Sequence, residues 1–164
     1  MKPLNQYIKE KLIINKDYND GKIVVKSVDE LRKIIDDRYD KLGAGTEQNP
    51  IDFNDIDVSN IDSFCKNKVG IFEETQFKYI DISDWDVSGV TDMSYMFYGC
   101  KELTSVGNIS GLDISSVTDM SYMFAFCKKF NQDLSKWNVS KVRYHSYMFD
   151  CCPIKDKYKP KFKI

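Results

Sequence analysis

Nucleophilic catalysis is the first chemistry to consider, because the only histidine of the chain lies close in sequence to a pair of cysteines. His145 is followed by Cys151 and Cys152. A cysteine nucleophile needs a base within hydrogen-bond reach and a third group that orients the base. No acidic residue is identifiable as that third group, and His145 takes a repeat position that is otherwise held by Met93 and Met120. We therefore interpret His145 as a packing residue and do not predict an enzyme.

Metal binding is the second chemistry that the sequence suggests. Two rows of aspartates recur, Asp86 with Asp113 and Asp92 with Asp119. Such rows suit calcium between repeats, but Asn138 and Tyr144 interrupt both of them in the third copy, and turn capping explains the rest. The five cysteines show no zinc-type Cys-x-x-Cys spacing, and the scattered glycines form no phosphate loop. We predict no metal, no cofactor and no small-molecule ligand.

The aspartates and the histidine discussed above lie in a sequence motif that occurs three times. It occupies residues 86–97, 113–124 and 138–149, and each copy is followed by a cysteine three places later. The copies begin 27 and then 25 residues apart, a period typical of stacked repeat architectures. One repeat cannot bury its own apolar face, so its apolar residues are expected to pack on those of the neighbouring copies.

Aligned copies share six apolar columns, which we predict to be core positions. The columns are Ile82/Ile109/Leu134, Trp85/Leu112/Trp137, Val87/Ile114/Val139, Val90/Val117/Val142, Met96/Met123/Met148 and Phe97/Phe124/Phe149. The cysteine column of Cys100, Cys127 and Cys152 is predicted to hold reduced, buried thiols, because parallel side chains suit small hydrophobes better than a disulfide torsion.

Three tyrosines recur beside the core methionine column, at Tyr95, Tyr122 and Tyr147. Aromatic side chains on a rigid repeat surface are good binding anchors, because few rotamers are lost on contact. Two interpretations stay open. The tyrosines form an exposed aromatic ladder that binds a protein partner, or they are half-buried packing residues.

The repeated pattern Trp-Asp-Val-Ser-x-Val-Thr-Asp-Met-Ser-x-Met-Phe-x-x-Cys resembles the BspA-like leucine-rich-repeat family of bacterial surface and phage proteins. The resemblance is close over residues 77–152 and weaker over residues 22–76, where residues 51–61 look like a first coil distorted by an insertion of four residues before Phe72. It implies a curved scaffold that binds proteins or surfaces and carries no catalytic residues.

The expected fold class is an α/β repeat, a short leucine-rich-repeat-like solenoid of about four coils. A strand over residues 22–26 and a helix that begins at the Ser27/Glu30 capping box and ends at Gly43 are predicted to cap its N-terminal end. A C-terminal strand caps the other end. The predicted organisation is an N-terminal extension (1–20), an α/β cap (21–50), the repeats (51–152) and a lysine-rich capping strand (153–164).

Two terminal segments are further candidate contact sites. Leu4, Tyr7, Ile8 and Leu12 fall on one face of a predicted amphipathic helix, which either packs on the cap or docks onto a partner. In the tail, alternate residues are basic: Lys155, Lys157, Lys159, Lys161 and Lys163. This alternation predicts an edge strand with one lysine face, which either covers the last coil or contacts a phosphate or an acidic partner.

Composition sets the remaining expectations. The chain has 164 residues, 42% of them hydrophobic, and a net charge of −1, so no global attraction to nucleic acid is predicted. No transmembrane stretch and no signal peptide are recognisable, which favours a cytoplasmic or virion-associated protein. The predicted function is that of a non-catalytic scaffold that binds an unidentified protein partner. This scaffold could be encoded by a phage. A cell-surface adhesin is the alternative, and a metal or cysteine-dependent enzyme is the least favoured class.

Overall fold

The computed structural model describes residues 18–19 and 21–162, and these residues form short strands, turns and one α-helix. The strands are β1 (Tyr18–Asn19), β2 (Lys22–Val24), β3 (Ile51–Asp52), β4 (Ile56–Asp57), β5 (Cys65–Lys66), β6 (Val69–Gly70) and β7 (Ile80–Asp81). Helix α1 spans Val28–Leu42, and 3₁₀ turns span Ile109–Gly111 and Asp156–Tyr158.

The described strands pair into three small sheets. Strand β2 lies between β1, to which it is antiparallel, and β4, to which it is parallel. Strands β3 and β7 pair in parallel, and β5 and β6 form an antiparallel hairpin. The parallel pairs join segments that are distant in sequence, so they connect the N-terminal elements to the start of the repeated region.

The predicted leucine-rich-repeat-like α/β solenoid is wrong. Such a fold supplies a strand together with a helix or 3₁₀ segment in every repeat. The three repeated copies contain no strand longer than a single bridge within residues 86–152, and the one α-helix among the described residues precedes them. The fold is predominantly β with small sheets.

Tight turns explain why the copies do not form regular strands and helices. Asp92 and Asp119 each accept a hydrogen bond from the backbone N–H two residues later, at 2.8 Å in both cases. Such side-chain bonds compete with strand and helix pairing of the backbone. A left-handed residue follows each turn, at Tyr95 and Tyr122, and it redirects the chain again.

Helix α1 forms as its sequence predicts. The Ser27 hydroxyl accepts a hydrogen bond from the Glu30 N–H at 3.2 Å, and Gly43, at φ 72°, donates its N–H to the Tyr39 carbonyl. The buried face consists of Leu31, Ile34, Ile35 and Arg38. The helix therefore covers part of the core next to the first repeat-like segment.

Arg38 is the unexpected member of that buried face, since a charged side chain is rarely buried without a partner. It is only 3% exposed, forms a 2.7 Å ion pair with Asp55 and packs over the Phe53 ring at 4.9 Å. Arg38 also donates to the Asp52 carbonyl. The pair thus ties the helix to the loop between β3 and β4.

Successive copies contact one another in order along the chain. Single parallel bridges join Ser63 to Asp92, Asp92 to Asp119, and Asp119 to Tyr144. The prediction that the six apolar columns are core positions is confirmed, since all their members are buried except the partly buried Leu112, Val142 and Phe149. The phenylalanine column is a ring stack, with centroids 5.3 Å apart for Phe72 and Phe97 and 5.2 Å for Phe97 and Phe124.

The insertion of four residues in the distorted first copy is the β5–β6 hairpin. Its two loop residues, Asn67 and Lys68, have φ values of 55° and 64°. Two consecutive left-handed residues are typical of the type I′ turn, whose twist matches a two-residue hairpin. The inserted residues therefore form a hairpin that interrupts the repeated backbone pattern, and the pattern resumes at Gly70.

The predicted C-terminal capping strand is also wrong. Residues Asp156–Tyr158 form a 3₁₀ turn, and the Lys159 N–H donates to the Asp156 carbonyl. Burial of Ile154 and partial burial of Tyr158 hold this turn against the last copy, where the Leu134 N–H donates to the Tyr158 carbonyl at 2.8 Å. Because these two apolar residues pack against the last copy, the chain turns here and does not form the extended strand that the alternating lysines predicted.

Candidate functional site

The three recurring tyrosines adopt a backbone conformation that is unusual for residues with a side chain. Tyr95, Tyr122 and Tyr147 have φ values of 57°, 59° and 57°. Left-handed conformations carry a steric cost for residues other than glycine, and they persist where surrounding contacts enforce them. The backbone therefore presets the direction of each tyrosine ring.

The tyrosine rings form one continuous stack. Ring centroids are 4.9 Å apart for Tyr95 and Tyr122, with planes 14° from parallel, and 5.1 Å apart for Tyr122 and Tyr147, with planes at 21°. Backbone bonds of 3.0 Å from Tyr95 to Ser121 and from Tyr122 to Ser146 set this spacing. The structure thus brings the predicted ladder residues together.

Two further aromatic rings, which the sequence reasoning missed, widen the stack. Tyr98 contacts Tyr95 at 5.6 Å and Tyr122 at 6.4 Å, and Phe126 meets Tyr98 edge-on at 5.5 Å. In the sequence, Tyr98 and Phe126 are recognisable only as aromatic residues outside the aligned apolar columns. Phe126 has the left-handed backbone conformation that Gly99 has at the same position of the preceding copy. We call the five residues Tyr95, Tyr98, Tyr122, Phe126 and Tyr147 the aromatic surface.

Exposure varies along the aromatic surface. Tyr95, Tyr98, Tyr122 and Phe126 are half-buried, whereas Tyr147 is 63% exposed. Partial burial, together with the neighbouring Tyr122, raises the pKa of Tyr95 above its usual range. Tyr95 therefore keeps its proton, and each tyrosine offers an apolar ring face with a polar hydroxyl. The rings pack on one another and still reach solvent, so the structure shows both the packing and the exposure, and binding of a partner stays a prediction.

Cys100 and Cys127 of the cysteine column are buried as predicted, whereas Cys152 is half-buried. Cys100 donates its thiol to the Phe72 carbonyl at 2.9 Å, and Cys127 donates to the Phe97 carbonyl at 3.0 Å. Burial raises the pKa of Cys100 to about 12 and raises that of Cys127 as well. All five cysteines are free thiols. A buried thiol that keeps its proton is a poor nucleophile.

His145 packs against the C-terminal tail. Its ring stacks on Phe162 with centroids 4.0 Å apart and an angle of 11°. No hydrogen bond joins it to Cys151 or Cys152 within the described residues. The neighbourhood in sequence thus does not become a Cys/His pair in the fold. Among all the residues that the structure describes, no group of three or more His, Cys, Asp or Glu residues is arranged to hold a metal ion.

The basic tail residues make different local contacts. Lys155 and Lys157 lie 5.6 Å and 5.0 Å from the centre of the Tyr158 ring, and Lys159 pairs with Asp156 at 2.8 Å. Lys161 is exposed. Lys163 and the candidate docking residues Leu4, Tyr7, Ile8 and Leu12 lie outside the described residues.

A family comparison covers most of this region. Residues 65–157 match the family described as "Mycoplasma protein of unknown function, DUF285". The match spans more than half of the chain, and the protein belongs to this family. No curated protein and no solved structure matched the chain. Among the described residues, no helix combines the length and the apolar character needed to cross a membrane.

Proposed function

We propose that this protein is a non-catalytic repeat module that binds a protein partner through the aromatic surface. The observation that carries the proposal is the continuous stack of Tyr95, Tyr122 and Tyr147 at the protein surface. Tyrosine supplies a large contact area and a hydrogen-bonding hydroxyl, and it is enriched among the residues that dominate binding energy.

Preorganisation supports this function. The stacked rings hold one another, and the backbone bonds between copies hold their positions. Binding through side chains that are already ordered avoids about 0.5–1.5 kcal/mol of ordering cost for each flexible side chain. The buried, protonated thiols of Cys100 and Cys127 favour a binding role over a catalytic one.

The resemblance of the repeats to BspA-like surface and phage proteins is part of this proposal, because the family that the chain matches is described as one of unknown function. It favours a second candidate, an adhesin displayed at the cell surface. Protease treatment of intact cells separates the two candidates. Digestion of the protein on intact cells would favour the adhesin, and protection until lysis would favour an internal or virion-associated scaffold.

Affinity purification from the native host tests the binding surface. We expect a partner recovered with the native protein to be lost with the double variant Tyr98→Ser and Tyr147→Ser. Tyr144→Ala is the matched control, because Tyr144 is similarly exposed at 62% but makes no ring contact within the described residues. Thermal melts must show that the double variant is folded. Equal recovery of the partner by all three folded proteins would refute the proposal.

A further inference from the structure

Alternate backbone N–H groups of each copy donate to carbonyls of the next copy. In the first full copy the donors are Met93, Tyr95, Phe97 and Gly99, and the acceptors are Asp119, Ser121, Met123 and Ala125, at 2.9–3.0 Å. In the second copy the donors are Met120, Tyr122, Phe124 and Phe126, and the acceptors are Tyr144, Ser146, Met148 and Asp150, at 2.7–3.0 Å. Each copy thus offers donors on one side and acceptors on the other.

The corresponding donors of the last copy are unused. The N–H groups of His145, Tyr147, Phe149 and Cys151 have no acceptor within the described residues. We call these four amides the open edge. Three of the four residues are exposed and Phe149 is half-buried, so the row lies at the surface of the protein. Unpaired rows of backbone groups are templates for pairing with another chain.

The ring stack is open at the same end. Tyr95 and Tyr122 each carry the next tyrosine on one face, whereas no further ring covers the outer face of Tyr147 within the described residues. Tyr147 is 63% exposed and makes no ring contact with the described part of the tail, which bonds to Leu134 and Asn131 and stacks on His145 at the start of the open edge.

Charge in the C-terminal part of the described chain, which includes the open edge, is mainly positive. Exposed basic residues of this region are Lys141, Arg143, Lys155, Lys157 and Lys161. The described acidic residues after position 140 are Asp150 and Asp156, and Asp156 is already paired with Lys159. Asp113 and Asp133 of neighbouring segments face Lys141 and Lys157. Arg143, Lys155 and Lys161 remain without an acidic neighbour within the described residues. A basic surround attracts acidic chains and repels basic ones.

We propose that the open edge binds an acidic polypeptide segment of a partner protein. The segment contributes a row of backbone carbonyls to the four amides, an aromatic ring to the outer face of Tyr147, and carboxylates to the surrounding lysines. This inference rests on the proposed function only in taking the partner to be a protein, and it places that partner at the end of the repeats.

A second copy of this chain fits the open edge poorly. Two open edges that face each other would place N–H groups against N–H groups. Pairing of an open edge with the start of another copy is hindered by α1, since Arg32 already donates to the Gly70 carbonyl at 3.0 Å and Asp29 pairs with Lys66. The edge therefore suits a different chain.

A peptide that copies residues 81–98 is a suitable probe for the full-length protein. It contains four aspartates and no basic residue. Within the fold, its carbonyls at Asp92, Met96 and Tyr98 already accept hydrogen bonds from the preceding segment. Amide hydrogen exchange, resolved by NMR, measures where the peptide binds.

We expect the four open-edge amides to exchange rapidly in the free protein and at least about tenfold more slowly with saturating peptide. The amides of Met120, Tyr122, Phe124 and Phe126 are the internal control, because they are hydrogen-bonded in both states. Absence of added protection at the four open-edge amides would overturn the inference. So would self-association that protects the open edge without peptide.

Charge variants test the chemistry of the partner. We expect Arg143→Glu with Lys155→Glu to weaken peptide binding at least about tenfold. Lys33→Glu with Lys101→Glu is the control of equal charge change, at exposed positions away from the open edge. Equal loss in both double variants, or equal binding of a peptide with asparagine at all four aspartate positions, would overturn the acidic assignment.

Failure of the proposed function is distinguishable from failure of this inference. Tyr98→Ser alters the aromatic surface without touching the open edge. Peptide protection of the four amides that persists in Tyr98→Ser, together with unchanged recovery of the native partner, would refute the aromatic surface and keep the open edge.

Discussion

Tyr122 lies over Tyr95 with ring centroids 4.9 Å apart, although 27 residues separate the two in sequence. The same pair of segments is joined by the 3.0 Å bond from the Tyr95 N–H to the Ser121 carbonyl. Ring stacking and backbone pairing thus have a common spacing. The aromatic surface is therefore part of the packing between copies as well as a candidate binding site.

Removal of the middle ring of the stack should destabilise the fold. Tyr122→Ala loses the two stacked ring contacts, with Tyr95 and Tyr147, and the more distant edge contact with Tyr98. Each aromatic pair contributes about 0.5–1.5 kcal/mol, so we expect the free energy of unfolding to fall by about 1–3 kcal/mol. Urea denaturation measures this loss. Tyr144→Ala is the control, expected within about 0.5 kcal/mol of the native protein. Equal effects of the two substitutions would contradict the prediction.

The backbone strain at Tyr147, at the end of the stack, can be measured separately from the effect of losing its ring. Tyr147 has φ 57°, where alanine is strained and glycine is not. Both Tyr147→Gly and Tyr147→Ala remove the ring, so their difference reports the backbone. We expect the glycine variant to be more stable by about 1 kcal/mol, the reverse of the usual order. A more stable alanine variant in chemical denaturation would show that the left-handed conformation costs little.

Close approach of two segments makes one glycine irreplaceable. A Cβ at Gly70 would lie 1.9 Å from the Tyr95 carbonyl oxygen, which is backbone and cannot rotate away. Gly70→Ala should therefore lower the free energy of unfolding by about 1–3 kcal/mol or more. Gly89→Ala is the matched control, because its nearest atom, the Ser59 carbonyl oxygen, is 4.0 Å away. A thermal melt of Gly70→Ala that matches that of Gly89→Ala would contradict this account.

Alkaline pH should weaken the fold through the buried thiols. Burial raises the pKa of Cys100 from 9.0 to about 12, so the folded state keeps a proton that the unfolded state loses. This contribution is fully present below pH 9 and is lost as the pH rises through about 12. Each such thiol adds a slope of up to about 1.4 kcal/mol per pH unit.

Comparison with Cys100→Ala isolates that contribution. Urea unfolding at several pH values between 9 and 11 should give a shallower decline for the variant than for the native protein, whatever its absolute stability. Parallel declines would mean that Cys100 ionises equally in both states.

Several local features were predictable because neighbouring residues determine them. Ser27 with Glu30 starts α1 and Gly43 ends it, since capping depends on residues a few positions apart. The core columns were predictable because apolar burial follows the repeat itself. Arg38 was missed in the buried face, because its partner Asp55 lies in another element and only the fold brings the two together.

The sequence alone thus determined which residues recur, which apolar columns form the core, and where the helix begins and ends. Only the tertiary structure decided that the copies are joined tight turns in place of a strand and helix per repeat, and that the tail turns at Asp156–Tyr158. The tertiary structure likewise brought Tyr98 and Phe126 to the tyrosine stack and left the amides of the last copy unpaired. The reason is physical. Propensity and periodicity act within one copy, whereas left-handed backbone, ring stacking and donor rows depend on contacts between copies.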